Sequence, residues 1–300
     1  MVNGWWEIEI HCESALEESI LWRLEQFGCR GSASTHDGRH YRIKSYIPEG
    51  EVHLLDLGAL AIGCKQDALT MALALPRVSW QRLEEEDWAT GWKSHWKPEE
   101  IGDRFLVCPA WLEPPPSDRL VITLDPGSAF GTGAHQTTQL CLESLEMRIG
   151  GYGDQAPPPI IADIGCGSGI LSIGAIKLGA DRVYGVDTDS LAVIATAKNR
   201  DLNQLSDRQI SVEMGSIEQI KTLADAGIEF DGIVCNILAE IITQLIPTMT
   251  EVANPKTWAI LSGILNTQAS EIAALLEQHG WIVATLWKRD EWCCFNVRRS

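Results

Sequence analysis

A strand, a tight turn and the start of a helix are encoded by Ile160-Ile161-Ala162-Asp163-Ile164-Gly165-Cys166-Gly167-Ser168-Gly169-Ile170-Leu171. The apolar run before the first glycine suits a buried strand, and the apolar residues after Gly169 recur with helical spacing. Three glycines at alternate positions leave the backbone amides at the helix N-terminus uncovered, so a ligand can lie directly against the main chain. The stretch therefore predicts a ligand-binding loop, the alternative being a tight turn that binds nothing.

Strands and helices alternate on both sides of this loop. Strands are predicted at 120–124, 160–164, 182–186, 210–214, 230–235 and 258–262, with helices over 191–202, 240–252 and 267–279. The last two candidate strands, 281–286 and 292–297, are close enough to form an antiparallel pair. This alternation predicts an α/β, doubly wound and mainly parallel sheet with helices on both faces.

The first eighty residues follow a different order. A strand at 5–12, a helix at 15–27, a hairpin of 31–35 with 41–47, a helix from 54 to 75 that is interrupted near Gly63, and a strand at 78–83 give the order βαββαβ. That order predicts a small α+β ferredoxin-like sandwich, an architecture that does not by itself indicate a function.

We therefore divide the chain into a ferredoxin-like domain over 1–84, a linker helix over 85–104 and a ligand-binding domain over 105–300. In the linker, Trp88, Trp92 and Trp96 recur every four residues and share one helix face. Such a face either docks on a core or grips a partner.

The charge of the chain limits its partners. A formal charge of −17 and a pI near 4.8 repel phosphate backbones, which argues against nucleic acid as a direct partner. A cationic partner would be attracted, although the same charge could serve solubility alone.

The cysteines and the hydropathy indicate a compartment. Nine cysteines without a C-x-x-C pair indicate free thiols in a reducing compartment, with little support for a zinc or redox role. The chain has no run of roughly 18 apolar residues that would span a membrane and no signal-peptide pattern at its start. We expect a cytoplasmic protein, with no metal and no membrane partner.

Acidic residues at two successive strand ends indicate the ligand. Asp187 follows the loop by about twenty residues, where a carboxylate can accept both hydroxyls of a ribose. A dinucleotide loop needs a third glycine where this chain has Ile170, and Asp163 would repel a diphosphate but could accept hydrogen bonds from a cationic amino-acid tail. The pattern favours S-adenosylmethionine over NAD.

The motifs resemble those of a known family. Asn236-Ile237-Leu238-Ala239, the glycine-rich segment 124–138, the loop at 163–171 and Leu261-Ser262-Gly263-Ile264-Leu265 are closely similar to the ribosomal protein L11 methyltransferase family, which is a class I S-adenosylmethionine-dependent methyltransferase family. Residues 88–98 and the closing pair Glu291-Trp292 also resemble it. The likeness is strong over residues 85–297 and weak over the first eighty.

The resemblance implies a seven-stranded Rossmann-like methyltransferase sheet and a set of site residues. Asn236 would orient the acceptor amine, and Phe130 would cover the cofactor and narrow the methyl channel. The cofactor would be held by Thr138, Asp163, Gly165, Gly167, Asp187 and Asn236.

The resemblance also implies a substrate. This substrate is ribosomal protein L11, methylated on its N-terminal amine and on lysine side chains. The first domain would recognise it, and it would be bound as the free protein before ribosome assembly. We expect the enzyme to be a monomer. Many amine-modifying relatives follow the Asn with Pro-Pro-aromatic, whereas Ile237-Leu238-Ala239 follows here, so a shelf for stacking a flat base is missing.

Other interpretations stay open at this point. A methyltransferase of the same fold could act on a glutamine amide of a translation factor or on a nucleobase. A nicotinamide-dependent dehydrogenase and a non-catalytic binding module are the other two classes. His135 could serve as a base, although a helix-start histidine that bonds locally is the simpler interpretation.

Overall fold

The computed structural model describes residues 4–29, 32–36, 40–84, 97–125, 135–149 and 157–300. The chain forms two compact units, residues 1–96 and 97–300. The division falls inside the segment 85–104 that the sequence assigns to a linker. Residues 85–96, with Trp88, Trp92 and Trp96, lie outside the described residues, so the linker helix and its boundaries stay predictions.

The first unit is a four-stranded antiparallel sheet with two helices. Its elements are β1 (Gly4–Glu13), α1 (Glu17–Gln26), β2 (Ser32–His36), β3 (His40–Pro48), α2 (Leu54–Thr70) and β4 (Arg77–Glu84). The strand order is β2-β3-β1-β4. Alternate residues of β1, such as Ile8 and Ile10, are fully buried with residues of both helices. The ferredoxin-like prediction is confirmed.

The predicted interruption of α2 at Gly63 is wrong, because the helix runs unbroken through it. A Cβ atom at Gly63 would lie 2.7 Å from Nη1 of Arg23 on α1. Arg23 in turn forms an ion pair with Asp67, one helical turn beyond Gly63. The glycine makes room for a bridge between two helices. The helix also ends earlier than predicted, at Thr70, where Ala72 adopts a left-handed turn with φ +55°.

The second unit contains three layers around a large sheet. Its strands are β5 (Glu99–Ile101), β6 (Phe105–Pro109), β7 (Leu120–Leu124), β8 (Ile160–Ile164), β9 (Arg182–Asp187), β10 (Ile210–Met214), β11 (Gly232–Asn236), β12 (Trp258–Leu265), β13 (Trp281–Arg289) and β14 (Trp292–Arg299). Its helices are α3 (Gln136–Ile149), α4 (Ile170–Leu178), α5 (Ser190–Leu202), α6 (Ile217–Asp225), α7 (Ala239–Val252) and α8 (Ala269–Gln278).

The large sheet has seven strands in the order β10-β9-β8-β11-β12-β14-β13. The pairs from β10 to β12 are parallel, and β14 is antiparallel to both of its neighbours. One face packs against α3 and α4, and the other packs against α6, α7 and α8. The doubly wound, mainly parallel fold and the terminal antiparallel pair are confirmed.

Two parts of the second unit were not predicted. Strands β5 and β6 join β7 in a separate three-stranded sheet, and all five residues of β6 are buried. Helix α6 was also missed, although Ser216 and Gln219 form a capping box at its start.

Some expectations concern absent features. In the described part of the chain, no helix is both long and apolar enough to cross a membrane. Nor do the described residues include a cluster of three or more His, Cys, Asp or Glu side chains that could hold a metal. The nine cysteines are free thiols, and burial raises the pKa of several of them, as at Cys64, whose pKa is about 11.

Candidate functional site

A cavity of about 690 Å³ lies at the carboxyl edge of the large sheet. It opens beside β8, whose neighbours are β9 on one side and β11 on the other. In open α/β sheets, ligands bind at this kind of reversal in strand order. The lining is mostly apolar and includes four of the predicted site residues from strand ends or loops, namely Gly165, Gly167, Asp187 and Asn236.

The glycine loop between β8 and α4 forms one wall. Gly165 has φ +75°, and a Cβ atom there would overlap the side chain of Ile237. Only glycine combines that backbone conformation with such a close approach. The loop therefore packs tightly enough against the segment after β11 to leave main-chain atoms on the cavity surface.

Asp187, at the end of β9, is tied to this loop. Its Oδ2 accepts a hydrogen bond from the backbone N–H of Gly167 at 2.9 Å, and its Oδ1 accepts one from Asp189 N at 3.0 Å. These two amides hold the carboxylate in one orientation. Because a carboxylate oxygen has more than one acceptor direction, both oxygens could also receive ribose hydroxyls.

Asn236, at the end of β11, presents an oxygen that lacks a protein partner. Its Nδ2 donates to Thr138 Oγ1 at 3.3 Å, whereas its Oδ1 is buried without a hydrogen bond. In this orientation the amide nitrogen faces Thr138, on α3, and the amide oxygen is the end without a protein partner. Since a buried acceptor is costly to leave unpaired, Oδ1 marks a place for an N–H or O–H group of a ligand.

Asp163 lies below the cavity and is not among its lining residues. It is the fourth residue of β8 and is only 1% exposed; its Oδ2 accepts a hydrogen bond from Ser172 Oγ on α4 at 2.6 Å. Burial raises the pKa of the Asp163 carboxyl from an ordinary value of 3.8 to about 6, and the Ser172 hydrogen bond opposes this rise. The pleat of β8 therefore directs Asp163 toward α4.

His135 stands at the start of α3 and bonds locally. Its Nδ1 lies 2.7 Å from Thr137 Oγ1 and accepts from Thr137 N at 3.4 Å. Its ring meets the ring of Trp292 edge-on, with the centroids 5.1 Å apart. Both rings line the cavity.

The sequence did not predict several of the residues that line the cavity, because segments distant in the chain bring them together. Gly263 lies in the bulge of β12 with φ +84°, and a Cβ atom there would overlap the backbone of Ile237. The sequence signal was the glycine inside an apolar strand, which often marks a close backbone approach. The other lining residues outside the predicted set are His135, Thr137, Ile164, Cys166, Ile170, Leu171, Thr188, Gly215, Ser216, Ile237, Leu238, Ile241 and Trp292.

The predicted site residues thus differ in position. Thr138, Gly165, Gly167, Asp187 and Asn236 come together at one cavity, and Asp163 supports the loop from below. Phe130 lies outside the described residues.

The seven-stranded sheet, its glycine loop and the acid at the end of β9 define a class I methyltransferase. The sequence model of the family described as ribosomal protein L11 methyltransferase (PrmA) matches residues 4–300, and the chain belongs to this family. It is therefore a methyltransferase whose methyl donor is S-adenosylmethionine.

Individual relatives agree with this assignment. Proteins named ribosomal protein L11 methyltransferase from a Cyanothece species and from Thermosynechococcus vestitus are 48% and 47% identical to this chain. The first alignment covers 100% of both chains, and the second covers 99% of this chain and 98% of the relative. A crystal structure of the ribosomal protein L11 methylase from Lactobacillus delbrueckii is 33% identical, has a TM-score of 0.60, and covers 68% of this chain and 100% of its own.

The residues at the cavity fit this methyl donor. Asp187 has a carboxylate that could accept the hydroxyls of a ribose, and the loop glycines lie beside it. The apolar wall that includes Ile237 and Leu238 suits a sulfonium group and a methyl group better than a pyrophosphate. No lysine or arginine lines the cavity among the described residues, which also disfavours a diphosphate.

The raised pKa of the buried Asp163 carboxyl predicts that the stability of the folded protein depends on pH. Because its folded-state pKa is raised, the folded protein binds this proton more tightly than the unfolded chain does. The free energy of unfolding should therefore fall as the pH rises from about 4 to about 6, by about 2 to 3 kcal/mol in total. Asp163→Asn keeps the acceptor for Ser172 but cannot ionise, so its advantage over the wild type should grow across this range.

Denaturant unfolding of both proteins between about pH 4 and about pH 8 measures the difference across the whole range between the two pKa values. Ser172→Ala is the matched control: without its hydrogen bond the pKa of Asp163 rises further, and the fall should move to higher pH. A difference between Asp163→Asn and the wild type that does not change with pH would contradict the assignment.

Proposed function

We propose that this methyltransferase modifies amines of ribosomal protein L11, both the N-terminal amine and lysine side-chain amines. The family assignment supports the substrate, since the curated relatives carry its name. The observation that supports an amine acceptor is the buried, unpaired Oδ1 of Asn236 in an apolar cavity. An amine can donate one N–H to this oxygen and direct its lone pair elsewhere.

The cofactor residues are part of the same proposal. Asp187 binds the ribose hydroxyls, while Gly165 and Gly167 lie against the methionine portion. Thr138 contacts the cofactor and, through its hydrogen bond, holds the amide of Asn236. Asp163 acts from below by holding Ser172 and thereby the start of α4. Phe130 keeps its proposed place over the methyl channel on the strength of the family motif alone.

The chemistry needs alignment and a neutral acceptor. S-adenosylmethionine supplies a methyl group on a sulfonium, which a nucleophile can displace in line. The side chains of Ile237, Leu238 and Ile241 give this cavity apolar surface that the acceptor would lie against. An ammonium loses stability in such surroundings, so its pKa falls and its proton leaves to solvent as it enters. Asn236 then orients the neutral amine. The methyl transfer is accelerated because the amine is held close to the methyl group and in line with it.

The first unit is proposed to recognise the protein substrate. Along α2, Leu55, Ile62 and Leu69 are 87%, 59% and 67% exposed. Their spacing of seven residues places them on one helix face. Exposed apolar patches of this kind mark protein interfaces more often than they mark unused surface.

The substrate is proposed to be free L11 rather than L11 in the ribosome. A net charge of −17 repels ribosomal RNA, so an assembled particle would be approached poorly. A monomeric enzyme acting in the cytoplasm on newly made L11 fits this requirement.

Labelled cofactor tests the substrate. We expect methyl groups to be transferred to free L11, at amines located by mass spectrometry, and much more slowly to intact large ribosomal subunits. Purified translation factors and deproteinised RNA serve as competing acceptors. Transfer to a glutamine amide or to a nucleobase, with none to L11, would replace the proposed substrate.

Asp187→Ala should weaken binding of S-adenosylmethionine by about 1.5 to 3 kcal/mol, the scale of hydrogen bonds to a charged group. Calorimetry with the cofactor and with an analogue that lacks the ribose hydroxyls separates two causes. If Asp187 binds the ribose, the variant should no longer discriminate between the two ligands. An equal loss of affinity for both would mean that Asp187 only supports the loop through Gly167.

Asn236→Ala should lower kcat by about 100-fold, because misplacement by about 1 Å can cost that much. Its cofactor affinity should change less than about threefold. Thr138→Val removes the hydroxyl that holds the amide and should lower kcat less, while Thr138→Ser should retain most of the rate. A kcat for Asn236→Ala close to that of the wild type would exclude the orienting role.

A further inference from the structure

A second depression adjoins the cofactor cavity. It has a volume of about 430 Å³ and is lined by His135, Gln136, Asp290, Glu291 and Trp292. His135 and Trp292 line both spaces, so their edge-on ring pair forms a common wall. His135 precedes α3 and Gln136 is its first residue, while Asp290 and Glu291 form the turn from β13 to β14 and Trp292 begins β14.

This turn is held in place by other segments. Asp290 adopts φ +49°, a conformation that few non-glycine residues take. Its carboxylate accepts a hydrogen bond from Gln136 Nε2, and its backbone oxygen accepts one from Asn266 Nδ2 at 2.7 Å. Asn266 N also donates to the backbone oxygen of Glu291 at 2.8 Å. The turn is therefore built into the unit at three points.

The charge of the depression is negative. Asp290 and Glu291 are both exposed acids. The neighbouring cation, Arg289, is engaged elsewhere: its guanidinium contacts Glu143 at 3.0 Å and Gln139 at 2.9 Å, both on α3. The two acids are thus available to attract a cation from solution.

An independent feature in the adjoining cavity indicates which cation this is. The buried Oδ1 of Asn236 has no protein partner and can accept an N–H of an amine. The depression is negative, so it suits a group that arrives as an ammonium. The cavity behind the shared wall contains the unpaired Oδ1, so it suits the same group once that group has become a neutral amine. An aromatic wall stabilises alkylammonium ions, through the attraction of a cation to the ring face.

We propose that Asp290, Glu291 and Trp292 form an acceptor subsite, which takes the protonated amine and the adjoining basic segment of the protein substrate before the amine enters the main cavity. The subsite rests on the proposed methylation of L11 amines and assigns the charge-selective step of that function to three residues. It takes part in binding and not in the displacement. It should therefore affect KM rather than kcat.

The double variant Asp290→Asn, Glu291→Gln tests this subsite in the full-length enzyme. Asparagine tolerates the left-handed conformation and keeps an acceptor for Gln136, so the turn should persist. Glu271→Gln, Glu277→Gln is the matched control, since it removes the same two charges from the exposed side of α8. Initial rates with free L11 are measured at low and high ionic strength, and cofactor affinity by calorimetry.

We expect KM for L11 to rise about 3- to 10-fold in the Asp290/Glu291 variant at low salt, on the scale of two exposed charge contacts. The rise should shrink with added salt because exposed charges are screened. The kcat and the cofactor affinity should stay within about twofold, and the control should behave like the wild type.

Three results would overturn the subsite: an unchanged KM, an equal rise in the control, or a parallel loss of cofactor affinity. Each of these can occur while the wild type still methylates L11, so the proposed function would stand. If the wild type fails to methylate L11, the function fails and the subsite fails with it.

Discussion

The reversal of strand order beside β8 is the constraint on which the site depends. The chain leaves β8 for β9 through α4, on one face of the sheet, and reaches β11 from β10 through α6, on the other face. Because the two connections depart in opposite directions, neither of them covers the carboxyl ends of β8 and β11 directly. The cavity follows from this topology, and the side chains at the strand ends give it its chemistry.

Close packing turns this gap into a shaped site. Ile237 lies between Gly165 and Gly263, and a Cβ atom at either glycine would overlap it. The segment after β11 therefore sits against backbone on both sides, which fixes Asn236 immediately before it. In the proposed function, the same segment supplies the apolar surface that favours the neutral form of the acceptor amine. The close packing of this segment depends on one isoleucine and two glycines.

The roles of the acidic side chains differ with how deeply each one is buried. Asp163 is buried, and its raised pKa means that ionising it costs folding stability. We interpret that cost as the consequence of anchoring α4 through Ser172 beneath the cofactor loop. Asp187 is partly exposed and is held by main-chain amides, which leaves it able to bind a ligand. Asp290 and Glu291 are exposed, where they can attract a substrate at little cost to folding.

The sequence by itself determined the features that are local. Alternation of strands and helices, the βαββαβ order of the first unit and the glycine spacing at 165–169 all follow from short-range periodicity and backbone conformation. The spacing between the loop and Asp187 predicted a carboxylate at a strand end, where it could bind a ribose. The family motifs added Thr138 and Asn236 to the predicted site. The predicted strands of both units are present, and Thr138, Asp187 and Asn236 lie together at the cavity. Their roles toward a ligand stay predictions.

Only the tertiary structure decided the features that depend on neighbours distant in the chain. The sequence predicts a helix break at Gly63, whereas the structure shows that the missing side chain leaves room for Arg23. The sequence predicts that Asp163 faces the cavity, whereas the structure shows that its side chain points to Ser172. Strands β5 and β6 are short or fully buried, so periodicity does not reveal them. The wall of His135 and Trp292 joins residues more than 150 positions apart. Local patterns cannot specify such contacts, because they arise from sheet order and from the register between strands.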